Sequence, residues 1–213
     1  MLIPESVARG LEEELRQRLA FRDTLAERAR ALRRASQDLM RRTQVVAARG
    51  TSPAPLTVEY QRLSRSARDL VLRLKGEGWR DEGVVEDALQ EWVEASLLVA
   101  LVRRRPLPSP RALGVHAEPY LLGLSDLVGE LRRVAVSALG NGQVAEAVEN
   151  LTRMETLLHF LMRFDYPRSL LSMKPKQDSA RSLLERTRAD VEMARYLERF
   201  SREGQQRSKR TAP

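Results

Sequence analysis

Residues 5–49 read ESVARGLEEELRQRLAFRDTLAERARALRRASQDLMRRTQVVAAR, with no proline and one glycine, Gly10. Within this stretch Leu25, Ala29, Leu32, Ser36, Leu39, Thr43 and Val46 recur at alternating steps of four and three. That spacing keeps small and apolar residues on one narrow stripe of an α-helix, as in a coiled-coil seam. At 1.5 Å per residue the helix would be roughly 65 Å long. GTSPAP at 50–55 supplies the glycine and prolines that end it. Outward from here the rest of the chain also reads as helix: about 57–75, 84–103, 119–139, 143–163 and 177–202. Gly76, Gly78 and Gly83 bracket a connector around Trp79, and a proline-rich loop, RRRPLPSP, fills 103–110. Pro119 suits the first turn of its helix. No strand-like alternation of useful length appears. The expectation is an all-α helical bundle of about six or seven helices with a very long first helix. Residues 1–203 form one domain, and residues 204–213 form a polar, basic tail expected to be disordered.

Two of these helices carry acids in the wrong company. Glu91 and Glu94 lie in ALQEWVEASLLVALV, and Asp126 and Glu130 in YLLGLSDLVGELRR. Spacings of three and four place each pair on one helical face. Glu86 and Asp87 extend an acidic stripe, which favours a solvated face. Ala88, Leu89, Trp92, Val93 and Ala95 leave little room for one. The second pair has only Ser125, Arg132 and Arg133 as polar neighbours. Gly123 and Gly129, each costing about 1 kcal/mol in mid-helix, suggest close helix approach. Facing carboxylates at roughly 5 Å and an effective dielectric near 20 repel by about 3 kcal/mol per pair. A divalent cation removes that penalty, and oxygen-only ligation suits Mg²⁺ or Mn²⁺. Zinc and iron are disfavoured, because these helices lack Glu-x-x-His. His116 lies in or beside the loop, and His159 reads as a packed histidine.

Composition narrows the partners. The 213 residues carry a formal charge of +8 and a pI near 10.5, which favours a polyanion, nucleic acid before an anionic membrane. Arg30, Arg34 and Arg41 share a face of the first helix and form a candidate phosphate track, against the alternative of a plain solvated row. Ten aromatics are too few and scattered for a base-stacking platform. The absence of cysteine excludes disulfides and thiolate chemistry and suits a reducing cytoplasm. No apolar leader or membrane-length run is present, so the sequence predicts a soluble protein. Phosphate-loop, dinucleotide and nucleophile-elbow motifs are absent. A carboxylate-held cation on a basic protein points to phosphodiester hydrolysis.

Read together, LQEWVEA (89–95), YLLGLSDLVGELRR (120–133), LGNGQ (139–143), FDYP (164–167) and KQDSARSLLERTRADV (176–191) resemble the translin family. The likeness is to its catalytic branch, translin-associated factor X (Trax). Arg22-Asp23 and the Arg30, Arg34, Ser36 spacing add to it. The resemblance implies a seven-helix protomer, a hollow octamer, expected here to be a homo-oligomer, and a Mg²⁺-dependent endoribonuclease site on Glu91, Glu94, Asp126 and Glu130. It implies single-stranded RNA or short structured RNA as substrate, with single-stranded DNA as a further ligand. Thr43-Gln44 stands where family members often carry His-Arg, which weakens any carry-over of nucleic-acid contacts there. The short loop at 106–110 fits a prokaryotic, self-assembling member. Two other readings stay open: a non-catalytic nucleic-acid-binding oligomer, as translin itself is, and an all-α nucleotide pyrophosphohydrolase.

Overall fold

The computed structural model describes residues 4–76 and 83–211, so the connector around Trp79 lies outside the described residues. The described residues hold seven helices and no strand: α1 (Glu5–Arg49), α2 (Leu56–Gly76), α3 (Gly83–Val102), α4 (Pro110–Leu113), α5 (Ala117–Gly140), α6 (Val144–Leu161) and α7 (Lys174–Thr211). The all-α bundle with a very long first helix is the observed architecture.

α1 buries Leu25, Ala29, Leu32, Ser36, Leu39, Met40 and Thr43. This is the stripe read from the sequence, with Val46 half-buried at its end. The helix stops where Gly50 turns left-handed (φ 60°) and its N–H caps the carbonyls of Ala47 and Val46. α2 folds back antiparallel on it, tied by Arg28 to Asp69 (2.7 Å) and Arg42 to Glu59 (3.0 Å).

α3 is the axis of the molecule. It packs against α1 on one side and α5 on another, and from Trp92 to Ala100 every residue is buried. A helix that is apolar nearly all round has no solvent face to offer, so it must run through a core. Trp92 is fully buried and packs against Tyr60 with the rings tilted and their centroids 5.3 Å apart. Truncating a side chain so placed costs about 3–5 kcal/mol.

Glu86 lies beside His116 and Glu118, and Gln90 beside Asp126. Both numbers rise together, so α3 and α5 run parallel. A parallel pair needs the chain to travel back along the whole of α3, roughly 30 Å for a helix of this length. The proline-rich segment provides that return in extended backbone, which covers over 3 Å per residue. One turn of helix interrupts it. Ser109 caps α4 through the Ala112 N–H, Pro110 occupies the first position, and Gly114 closes it at φ 74°. The Tyr120 hydroxyl pins the segment by donating to the Pro108 carbonyl at 3.0 Å.

α5, α6 and α7 complete the bundle, with α6 antiparallel to both neighbours. Three local expectations change. α4 is absent from the sequence reading. α7 is helical from Lys174 to Thr211, so the backbone expected to be a disordered tail continues the helix. His159 is exposed on α6, not packed.

Candidate metal centre

The close contact of α3 and α5 is set by one glycine. A Cβ at Gly123 would lie 2.8 Å from the Gln90 carbonyl oxygen and 2.8 Å from Val93 Cγ1. No side chain fits there, so the helices touch backbone to side chain. Gly129 does not share this role: a Cβ there would meet only Leu183 Cδ1, at an ordinary 3.8 Å.

Just past that contact Glu94 lies within electrostatic reach of Glu91, Asp126 and Glu130. Glu94 and Glu130 are buried, at 9% and 4% exposure, while Glu91 and Asp126 are half-buried. Three of them have partners drawn from distant elements. Glu91 Oε1 accepts from Gln37 Nε2 at 3.0 Å and from Arg33 Nε at 3.3 Å, both on α1. Asp126 accepts from Lys176 Nζ of α7 at 2.6 Å and from Gln90 Nε2 of α3 at 2.5 Å. Glu130 accepts from Arg133 at 2.5 Å and from the Gln44 amide of α1.

Glu94 is different. Among the described residues it makes no hydrogen bond and no ion pair. Burial pushes its carboxyl up to about 8, the negative charges of Asp126, Glu130 and Glu91 add to the rise, and Lys176 opposes it. The cations of the cluster pair with its three neighbours, Arg33 with Glu91, Lys176 with Asp126 and Arg133 with Glu130, and none is in contact with Glu94 itself. That is the environment a hard divalent cation stabilises, and the donors are all carboxylate oxygens, which suit Mg²⁺ or Mn²⁺. The residues therefore fit such an ion. The three ligand atoms that already gather within 4.8 Å of one another belong to another group, Glu86, His116 and Glu118. No three of the four acids bring their carboxylate oxygens within that distance of one another.

The long-range partners are what the sequence did not disclose. Gln37, Gln44 and Lys176 are 50 to 86 residues from the acids they orient. Gln44 occupies the position noted as a departure from the family pattern, and its amide points at the acid cluster. On the outer face of α1, Arg30, Arg34 and Arg41 are all exposed. Arg41 is paired with Asp38 one turn away. Arg30 and Arg34 make no ion pair among the described residues, so two of the three candidate arginines keep their donors available.

Residues 20–196 match the sequence model of the Translin family. Uncharacterized protein MJ0175 of Methanocaldococcus jannaschii is 38% identical over 110 residues, covering 51% of this chain and 50% of that protein. The chain thus aligns with about half the length of that relative. The solved structure of apo-NeC3PO superposes with a TM-score of 0.78 over 90% of this chain and 98% of the other, at 20% identity, a likeness of fold. A structure of AfC3PO in complex with duplex RNA matches at TM-score 0.71 and 26% identity, over 87% of this chain and 96% of that one. AfC3PO alone matches at 0.65 and 27%, over 87% and 97%. With most of its length matched by the family's sequence model, the chain belongs to the translin family.

Proposed function

We propose that this protein is a Mg²⁺-dependent endoribonuclease of the Trax-like branch, which binds single-stranded RNA and hydrolyses its phosphodiester bonds inside a homo-oligomer. The observation that carries the reading is Glu94: buried, without a direct partner, and facing Glu91, Asp126 and Glu130.

Glu91, Glu94, Asp126 and Glu130 would hold the ion, Mn²⁺ serving in place of Mg²⁺. When bound, it supplies Lewis-acid polarisation of the scissile phosphate and neutralises developing charge. The remaining work falls to the chain. Gln37, Gln44 and Gln90 fix the carboxylate planes of Glu91, Glu130 and Asp126, so the acids are oriented before substrate arrives. Whichever of the four acids is left free of the ion would orient the attacking water and take its proton. Arg30 and Arg34, with Arg41 beside them, contact RNA phosphates.

Support for an RNA ligand comes from the net charge of +8 and from the AfC3PO complex with duplex RNA. Support for assembly comes from two apolar rows left uncovered at the ends of long helices. These are Val7, Leu11, Leu15 and Leu19 on α1, and Met193, Tyr196, Leu197 and Phe200 on α7. Such rows are costly in a monomer and suit packing between copies. An octamer, as the family likeness implies, is the assembly we propose. The 38% identity to the Methanocaldococcus jannaschii protein supports a prokaryotic member, for which we propose a cytoplasmic location. No described helix is long and apolar enough to cross a membrane.

The test is cleavage of labelled single-stranded RNA in Mg²⁺ and in chelator, with Glu91→Gln and Asp126→Asn. Both variants should lose cleavage and keep most RNA binding; wild-type rates in both would end this reading. One observation favours a binding-only alternative: Glu91, Asp126 and Glu130 already have amide or cationic partners. That reading expects salt-sensitive binding of RNA or single-stranded DNA without Mg²⁺-dependent degradation.

A further inference from the structure

We propose that Glu86, His116 and Glu118 form a second metal site, for a borderline transition-metal ion of which Zn²⁺ fits best. The proposal is independent of whether the four acids cut RNA. The three residues come from two rigid elements and the junction before one of them. Glu86 lies in the first turn of α3, His116 immediately precedes α5, and Glu118 lies in the first turn of α5.

Their ligand atoms all lie within 4.8 Å of one another. His116 Nε2 is 3.1 Å from Glu86 Oε2 and 3.3 Å from Glu118 Oε2. Zinc bonds of roughly 2.0–2.1 Å in a tetrahedron place neighbouring ligand atoms about 3.3 Å apart. The observed separations are close to those edges, so only small side-chain rotations are needed to accept an ion.

A hydrogen bond explains the arrangement less well. One ring nitrogen carries at most one proton, and here two carboxylates converge on the same nitrogen. A single N–H can be aimed at only one of the two oxygens, whereas an ion between them engages all three ligand atoms at once. Nor does helix capping account for His116, whose side chain makes no cap hydrogen bond.

The donor set chooses the metal. An imidazole nitrogen with two carboxylates suits Zn²⁺, with Mn²⁺ and Co²⁺ behind it, and discriminates against Mg²⁺. This separates the site chemically from the oxygen-only cluster on the same helices. Three protein ligands leave a fourth position open, and His116 at 48% side-chain exposure leaves that position facing solvent. Bound there, the ion would fasten the beginning of α3 to the beginning of α5. Those are the two parallel helices that carry the four acids, and Glu86 lies roughly 8–12 Å along the axis from Glu91 and Glu94.

The experiment uses the full chain stripped with chelator, then titrated with ZnCl₂ by calorimetry in excess Mg²⁺. The parent and Asp126→Asn should each bind a single Zn²⁺ per chain. His116→Ala and Glu118→Gln should weaken it by more than about a hundredfold, beyond what loss of an outer-shell partner does. Co²⁺ provides a second readout. Intense visible bands of a four-coordinate ion should form in the parent and in Asp126→Asn, and be lost in both ligand variants. If His116→Ala proves poorly folded, Glu118→Gln carries the test alone. A parent that takes up no Zn²⁺, ligand variants that bind as tightly as the parent, or binding lost only in Asp126→Asn would each overturn the proposal.

Discussion

Replacing Glu94 with glutamine should make the metal-free protein more stable at neutral and alkaline pH, although it removes a proposed catalytic group. In the folded chain the Glu94 carboxyl is pushed from 4.5 to about 8, first by burial and then by the charges of Asp126, Glu130 and Glu91. In the unfolded chain it returns to its ordinary value. Below pH 4.5 both states hold the proton, and the group contributes nothing. As pH climbs the unfolded state sheds its proton first, so stability falls through the window from 4.5 to 8 and levels off above it. At 1.36 kcal/mol per unit the loss is about 3 kcal/mol at pH 7 and on the order of 5 above pH 8. Glutamine removes this loss but buries an amide, at a cost of about 1–2 kcal/mol. The net gain is about 2 kcal/mol, or roughly 4–8 °C in Tm for a chain of this size. Thermal melts in chelator at pH 5 and pH 8 measure it directly: the variant should be clearly ahead at pH 8 and lose its lead at pH 5. Added Mg²⁺ should raise the parent's melting temperature and leave the variant's nearly unchanged. A variant that melts at or below the parent at pH 8, or an advantage that does not change with pH, would refute the reasoning.

Two further tests concern packing and charge. Gly123→Ala must displace α3 from α5 because its Cβ would sit 2.8 Å from a backbone oxygen. It should cost about 1–3 kcal/mol in denaturant melts and lower RNA cleavage with it. Gly129→Ala, which meets open packing, should be neutral or stabilising by up to about 1 kcal/mol; equal losses in the two variants would contradict this assignment. Lys176→Met removes the cation beside Asp126. The more negative cluster should then saturate at lower Mg²⁺ concentration in calorimetric titration, and weaker Mg²⁺ binding would count against the proposed centre.

What the sequence disclosed follows from what is local. The α1 stripe was legible because a buried seam must repeat with the period of its own helix, and residues 25–43 obey it. Glu94 and Glu130 were conspicuous because α3 and α5 are apolar on nearly every side, leaving no polar face to excuse them. Gly123 was legible as a close approach, while Gly129 gave the same signal without the contact, since a mid-helix glycine marks backbone cost and not its cause. The short α4 was hidden by the prolines around it, although Ser109, Pro110 and Gly114 spell a capped turn. The partners of the acids were out of reach: no local rule links Gln44 to Glu130 across 86 residues, or Lys176 to Asp126 across 50. His116 was set aside as a loop residue, because its neighbour Glu86 lies on another helix.

The meeting of α3 and α5 at Gly123 bears on how this protein can vary. Where the bare backbone of one helix rests on the Gln90 carbonyl and the Val93 side chain of the other, the gap beyond is fixed at that contact rather than by whichever side chains fill the rest of the interior. Leucines and valines elsewhere can be exchanged, and the bundle can swell or shrink at its margins, while the mouth between Glu94 and Glu130 keeps its width. Drift in the surrounding core is thereby uncoupled from the spacing of the acids, and one missing methyl group maintains that independence.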